Sequence, residues 1–231
     1  MACNPNFNTN QKDTKYQFSK KEESPAQSIK TTLLNNLRKL IEQAHADNEK
    51  YEKKLQEEPE DQFGMLDSFK LLHWEGSNKN KIWASDDQYM SKRFRKRVYS
   101  ALNAFDDNEL KDFSKMIIAS NQVVLMLTGL EFFGITIEDA IHSLYSKKDN
   151  LEKLEIPNLK KVKNLFEQFL HIKQIASRIP YQLLLDYQND ENIKTDINKL
   201  RSHIQTIRDQ MFKKIRKAYY RHIEISEIIY K

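Results

Sequence analysis

The sequence predicts an all-α fold. It reads as a single globular bundle of about seven helices over residues 25–231, with a long C-terminal helix, behind a disordered N-terminal tether at residues 1–24. Three observations carry this prediction. Gly and Pro are scarce, 4 and 5 of 231 residues, too few for the turns of a sandwich, a barrel or a doubly wound sheet. Apolar residues recur at spacings of three and four along nearly the whole folded part. Aromatics are plentiful (12 Phe, 10 Tyr, 2 Trp), which supports a packed core although 31% of residues are charged. A chain of this size buries roughly 70% of its unfolded surface. It needs no covalent staple, and its single cysteine can form no internal disulfide.

The elements follow in order. Residues 1–24 are rich in Asn, Lys and Ser, lack any apolar period, and read as a mobile tether. They hold no apolar run of the kind a signal peptide needs. Nowhere do 18 apolar residues follow one another, so no membrane span is expected. Ser24 then Pro25 gives an N-cap with Pro at N1. Ile29, Leu33, Leu37, Leu40, Ala44, Tyr51 and Leu55 keep helical spacing up to the acidic stop at Glu57, Glu58 and Pro59. A short helix is expected over residues 62–73 and a loop over 74–84. Ser85 and Gln88 stand at capping-box spacing and should open a helix to about residue 104. Asp106 and Glu109 repeat that signal for a helix that carries Leu110, Phe113, Ile117, Val124 and Leu127 toward Gly129. Gly134, then Thr136 with Asp139, should separate off a short helix ending near residue 146. No β-strand is expected.

Pro157 is well placed at a helix start, and Leu159, Val162, Phe166, Phe169, Ile172, Ala176 and Ile179 line one face. Pro180 falls inside the continuing pattern, which implies a kink or two abutting helices. The last helix is expected from about residue 195 to the C-terminus. Its stripe is Ile197, Leu200, Ile204, Ile207, Met211, Ile215, Ala218, His222, Ile225 and Ile229, a heptad-like seam with a stutter after Met211. Such a helix spans roughly 50–55 Å, longer than a compact domain of this size. Its end beyond Ile215 is therefore expected to project or to pack on a partner.

Catalytic and metal motifs are missing. No phosphate-binding glycine loop, nucleophile elbow or H-E-x-x-H occurs, and no two of the 6 His residues are four apart. No catalytic residue, metal or cofactor is expected, and the chain is read as a non-enzyme. Two basic segments stand out. Residues 92–97 (KRFRKR) hold five cations and one Phe; they read as a solvated helix face, with an anion or nucleic-acid patch through Arg93, Arg95 and Arg97 as the alternative. Residues 199–231 hold nine basic and three acidic residues, a net +6, so the rest of the chain carries 5 − 6 = −1. There, cations flank Tyr219 and Tyr220, which suits an acidic protein surface or a polyanion; the alternative is a solvated helix end whose cations offset the dipole. Tyr and Arg are the residue types that most often anchor interfaces, so Arg216, Tyr219, Tyr220 and Arg221 are the candidate partner-binding residues.

Cys3 precedes a polar tether, the arrangement a lipidated surface protein uses to hold its domain off a membrane. The runs LLNNLRKLIEQAHADNEKYEKKLQEEPEDQFGML, LLHWEGSNK, YMSKRFRKRVYSALN, NELKDFSKMI, KKDNLEKLEIPNLKKVKNLFEQFL and LLLDYQNDENIKTDINKLRSH strengthen this reading. In order and spacing they resemble the CspA-like paralogous family of Borrelia outer-surface lipoproteins, the complement regulator-acquiring surface proteins and their paralogues. The likeness spans about residues 28–210. It implies an all-α domain anchored in the outer membrane by an acylated cysteine, here Cys3, with the membrane touched only through that lipid. It implies a protein partner from host or tick, with no nucleic acid and no cofactor. Some members of the family bind complement factor H and its relative. Some act on terminal complement components. Others bind neither and are linked to the tick stage or to transmission. The same resemblance allows a monomer or a homodimer formed through the C-terminal helix.

Overall fold

The computed structural model describes residues 24–76 and 79–231. Cys3 and the tether lie outside the described residues, Ser24 excepted. Eight α-helices make up the described fold: α1 Pro25–Gln56, α2 Leu66–Phe69, α3 Tyr89–Ala101, α4 Asp107–Ala119, α5 Val123–Ser146, α6 Ile156–Asn189, α7 Glu191–Thr195 and α8 Ile197–Ile229. Two 3-10 turns, Gln62–Gly64 and Lys148–Lys153, join them.

The caps explain where several helices begin. Ser24 Oγ accepts from the Gln27 amide at 3.3 Å, and Pro25 fills the first turn of α1. Asp106 and Glu109 form a reciprocal capping box on α4, at 2.9 and 2.7 Å. Pro157 sits in the first turn of α6.

Four expectations need correction. The loop expected over residues 74–84 is an antiparallel hairpin of two short strands, β1 His73–Glu75 and β2 Lys81–Trp83, with Trp74 paired to Ile82. The helix expected over 62–73 is broken, because Gln62, Phe63 and Gly64 take φ of 52°, 55° and 77°. Only the four residues of α2 remain α-helical there. The Ser85 box does not form: Gln88 caps α3 without a side-chain bond, and the Ser85 carbonyl accepts from Gln62 Nε2 at 2.8 Å. The chain breaks before α5 at Asn121, with φ 55°, rather than at the glycines, and α5 runs unbroken through Gly129 and Gly134. Those glycines permit close packing instead. A Cβ on Gly134 would lie 2.4 Å from the Arg97 carbonyl oxygen, so α3 crosses α5 at that point.

The core draws on every long helix. Leu37 and Ile41 of α1, Phe113 and Ile117 of α4, Phe133 and Ile141 of α5, and Phe166 and Phe169 of α6 are fully buried. Pro180 stands buried within a single continuous α6, so the alternative of two abutting helices does not hold. The five residues of α7 turn the chain back, and α8 lies along α6 and α5. At 33 residues it is about 50 Å long.

Candidate protein-interaction surface

The stripe of α8 is core along almost its whole length. Leu200, Ile204, Ile207, Met211, Ile215, Ala218 and Ile225 are all buried, and Ile229 packs against the same core. The expectation that the end beyond Ile215 projects is therefore wrong. The length argument failed because α6, 34 residues long, provides a platform as long as the 33-residue α8, and α5 adds to it. His222 faces the core edge, with its Nε2 3.5 Å from Ser143 Oγ on α5, and burial holds its imidazole below the ordinary range against the pull of Asp139.

The opposite face of the same helix segment is open. Tyr219 and Tyr220 are 42% and 55% exposed. Their rings lie 6.2 Å apart, and Tyr219 lies 6.4 Å from Phe132 of α5, itself 44% exposed. Arg216 and Lys217 are exposed beside them, and Lys213 stands one turn earlier. Among the described residues, none of these three cations has an acidic partner within salt-bridge distance. Arg221 differs: it is half-buried and held to Glu224 one turn on. Of the four residues expected from sequence, three share the open aromatic–basic face and Arg221 sits at its edge. Phe132 was missed because it lies 87 positions earlier in the chain, on another helix, and only packing brings it alongside.

The other basic run behaves differently from either sequence reading. From Arg95 to Arg97 the run is neither a solvated face nor a patch of free cations, whereas Lys92 and Arg93 stay at the surface, 40% and 42% exposed. Arg95 is 1% exposed and paired to Glu58 at 2.7 Å. Lys96 reaches Glu52 of α1 at 2.6 Å and Glu138 of α5 at 2.8 Å. Arg97 donates to the other Glu138 oxygen at 2.8 Å and approaches Glu131 at 3.3 Å. The run is an ionic rivet that ties α3 to α1 and α5. Burial disfavours the Lys96 ammonium, but its bonds to Glu138 and Glu52 outweigh that and hold its pKa above the usual range. Burial likewise opposes the Glu138 charge, but Lys96 and Arg97 hold that carboxyl below the usual range. The sequence signal for this was the acidic second half of α1, whose charges need partners.

Among the described residues no group of three His, Cys, Asp or Glu side chains could hold a metal ion. No described helix is long and apolar enough to cross a membrane.

The domain is helical apart from one short hairpin, and α8 presents an open basic–aromatic face. Comparison with known proteins places the chain more closely. The family described as Borrelia Bbcrasp-1 domain containing protein matches over residues 52–230, and the chain belongs to that family. BSE31 of Borrelia (Borreliella) spielmanii is 45% identical; the match covers 85% of this chain and 98% of that one, with a TM-score of 0.78. Two more distant structures share the fold. The outer surface lipoprotein BBA64 of Borrelia burgdorferi is 20% identical over 86% of this chain and 98% of its own, with a TM-score of 0.68. The outer surface protein BBA66 of the same species is 20% identical over 85% and 99%, with a TM-score of 0.70. No curated protein matches the sequence.

Proposed function

We propose that this chain is a lipid-anchored protein of the Borrelia outer surface that binds a host or tick protein by surface complementarity and catalyses nothing. Its partner is a complement protein, factor H or a terminal component, and its role is complement evasion. Family membership and the resemblance set out above support the location and the partner class. The observation that carries the binding role is the open face of α8. Tyr219 and Tyr220 stand exposed beside Arg216 and Lys217, and those cations have no acidic partner among the described residues. Exposed aromatics flanked by unpaired cations suit an acidic protein surface. A polyanion reading through the 92–97 run loses support, because Arg95 and Arg97 are spent on intramolecular pairs.

The test is direct binding of the purified domain to immobilised factor H and to each terminal complement component. One of them should bind, and an Arg216→Ala/Tyr219→Ala/Tyr220→Ala triple variant should bind it at least about tenfold more weakly. Absence of binding to all of them rejects the complement role and leaves a tick-stage adhesin. Unchanged affinity in the variant moves the surface elsewhere. Sedimentation of both forms shows whether the same face also joins two copies. For the anchor, the protein made with a signal sequence should enter a detergent phase through Cys3, and Cys3→Ala should not.

A further inference from the structure

Beside the packing of α3 on α5, β1, the start of α3 and α5 together line an open groove of 380 Å³. Its lining is mostly apolar, from Leu72, Trp74, Met90 and Phe94, with Arg93 and Thr128 among the polar members. Leu72 and Phe94 belong to the buried core, whereas Met90 stands 59% exposed at the rim. An unbranched, polarisable Met in that position can fold over a bound molecule at little strain. A cavity of this size and lining falls in the range of small-molecule sites.

The polar groups here are short of acceptors. Arg93 reaches only Glu138, at 3.6 Å, and makes no hydrogen bond among the described residues. The reason is that both Glu138 oxygens are already taken, Oε1 by Lys96 and Oε2 by Arg97, each at 2.8 Å. The indole Nε1 of Trp74 bonds to nothing among the described residues but is sealed from solvent, so Arg93 is the donor the groove presents without a bond. Guanidinium and indole N–H are donors that cannot accept. The acid in the lining, Glu131, is approached at Oε1 by Arg97 at 3.3 Å and makes no bond to Arg93. What Arg93 lacks is therefore a bonded acceptor, and it lacks one beside an apolar body.

We propose that this groove binds a small alkyl carboxylate, its hydrocarbon chain against Trp74, Met90 and Phe94 and its carboxylate on Arg93. The planar fork of a guanidinium matches a carboxylate in two parallel bonds. The site is separate from the aromatic face of α8 and stands or falls without it.

Both tryptophans of the chain, Trp74 and Trp83, lie in the hairpin, so intrinsic emission reports on this groove. Trp83→Phe leaves Trp74 as the sole emitter. Titrating that protein with octanoate should shift the emission saturably, and calorimetry on the unmodified chain should give the same affinity. 1-Octanol, with the chain but no charge, should bind about tenfold more weakly, and acetate should not bind. Arg93→Gln should weaken octanoate about tenfold and leave octanol unchanged. The proposal is overturned by the lack of a saturable response, by octanol binding as tightly as octanoate, or by Arg93→Gln leaving octanoate unaffected. The octanol comparison needs no substitution at Arg93, so it decides the matter even if that variant fails to fold.

Discussion

Arg95 and Glu58 form a bidentate ion pair in the interior: Nε lies 2.9 and 3.0 Å from the two carboxylate oxygens, and Nη2 lies 2.7 Å from Oε2. Their side chains are 1% and 8% exposed. The remaining Arg95 donor, Nη1, bonds to the Ala84 and Asp86 carbonyls at 2.7 and 2.8 Å, and the Tyr99 hydroxyl donates to Glu58 Oε1 at 2.6 Å. Burial, then the Glu58 charge, pushes the Tyr99 hydroxyl far above its usual range, so it stays a donor. One guanidinium thus joins the end of α1, the hairpin exit and α3.

Breaking this pair from one side should be costly. Glu58→Ala leaves Arg95 charged and buried without its partner, and should lower stability by about 3–5 kcal/mol in urea denaturation. Replacing both partners by apolar residues, Glu58→Leu with Arg95→Met, should cost less than the single change, because no charge is then stranded. A single-variant loss below about 1 kcal/mol would show that water or a neighbour compensates the charge.

Gly134 and Gly129 should respond in different ways to a methyl group. At Gly134 the new Cβ would meet the Arg97 backbone at 2.4 Å, and backbone cannot swing aside. At Gly129 the nearest atoms are the Phe212 ring at 3.2 Å and the Met211 methyl at 3.4 Å, both ends of side chains. Gly134→Ala should therefore cost several times more in melting temperature than Gly129→Ala. For the latter, the crowding is offset by about 1 kcal/mol of helix propensity. Equal effects at the two sites would mean that α3 can slide away from α5.

These cases show which parts of the molecule were legible in the sequence. Apolar spacing and caps are local, so α1, α6, α8 and the Asp106 box could be read directly. Gly134 was misread as a break because its role depends on Arg97, a contact made only after folding. The hairpin was missed because its strands have three residues each, too short to show alternation. The KRFRKR run looked like surface because acids that neutralise it stand on α1 and α5. For the proposed interaction face, sequence supplied the α8 residues but not Phe132.

Acid should destabilise the domain in two steps. Burial holds His222 below its ordinary value of 6.5, so the unfolded chain takes up that proton first. Stability is full above 6.5 and falls as pH drops through the folded pKa. Glu138 is held below its ordinary 4.5 by Lys96 and Arg97, whose bonds outweigh the effect of burial, and its contribution disappears further down. Melting temperatures between pH 4 and 8 should thus decline below about pH 6.5 and again below about 4.5. His222→Gln should remove the upper step and leave the lower one. If the unmodified chain shows no decline between pH 5 and 6.5, the assignment to His222 is wrong.

The two faces of α8 should separate stability from recognition. Ile225 is fully buried, so Ile225→Ala should cost about 2–5 kcal/mol through lost burial and the cavity left behind. Truncation after Ile215 should do more damage, because it also removes the fully buried Ala218 and the packed Ile228 and Ile229. Such a truncated chain is expected to unfold or melt early, and loss of binding in it would say nothing about the interface. Arg216, Tyr219 and Tyr220 lie on the other face, and Arg216 has no bonded partner among the described residues. Single alanine changes there should stay within about 0.5 kcal/mol of the parent. At stake within the fold are the loose ring contacts of Tyr219 with Phe132, at 6.4 Å, and with Tyr220, at 6.2 Å. Binding, by contrast, should fall with each of the three changes, and most with the tyrosines, which supply the larger contact area. Circular dichroism melts alongside binding isotherms check both halves of this expectation. If the surface variants melt early, the tyrosines are structural; if Ile225→Ala melts like the parent, the end of α8 is not core.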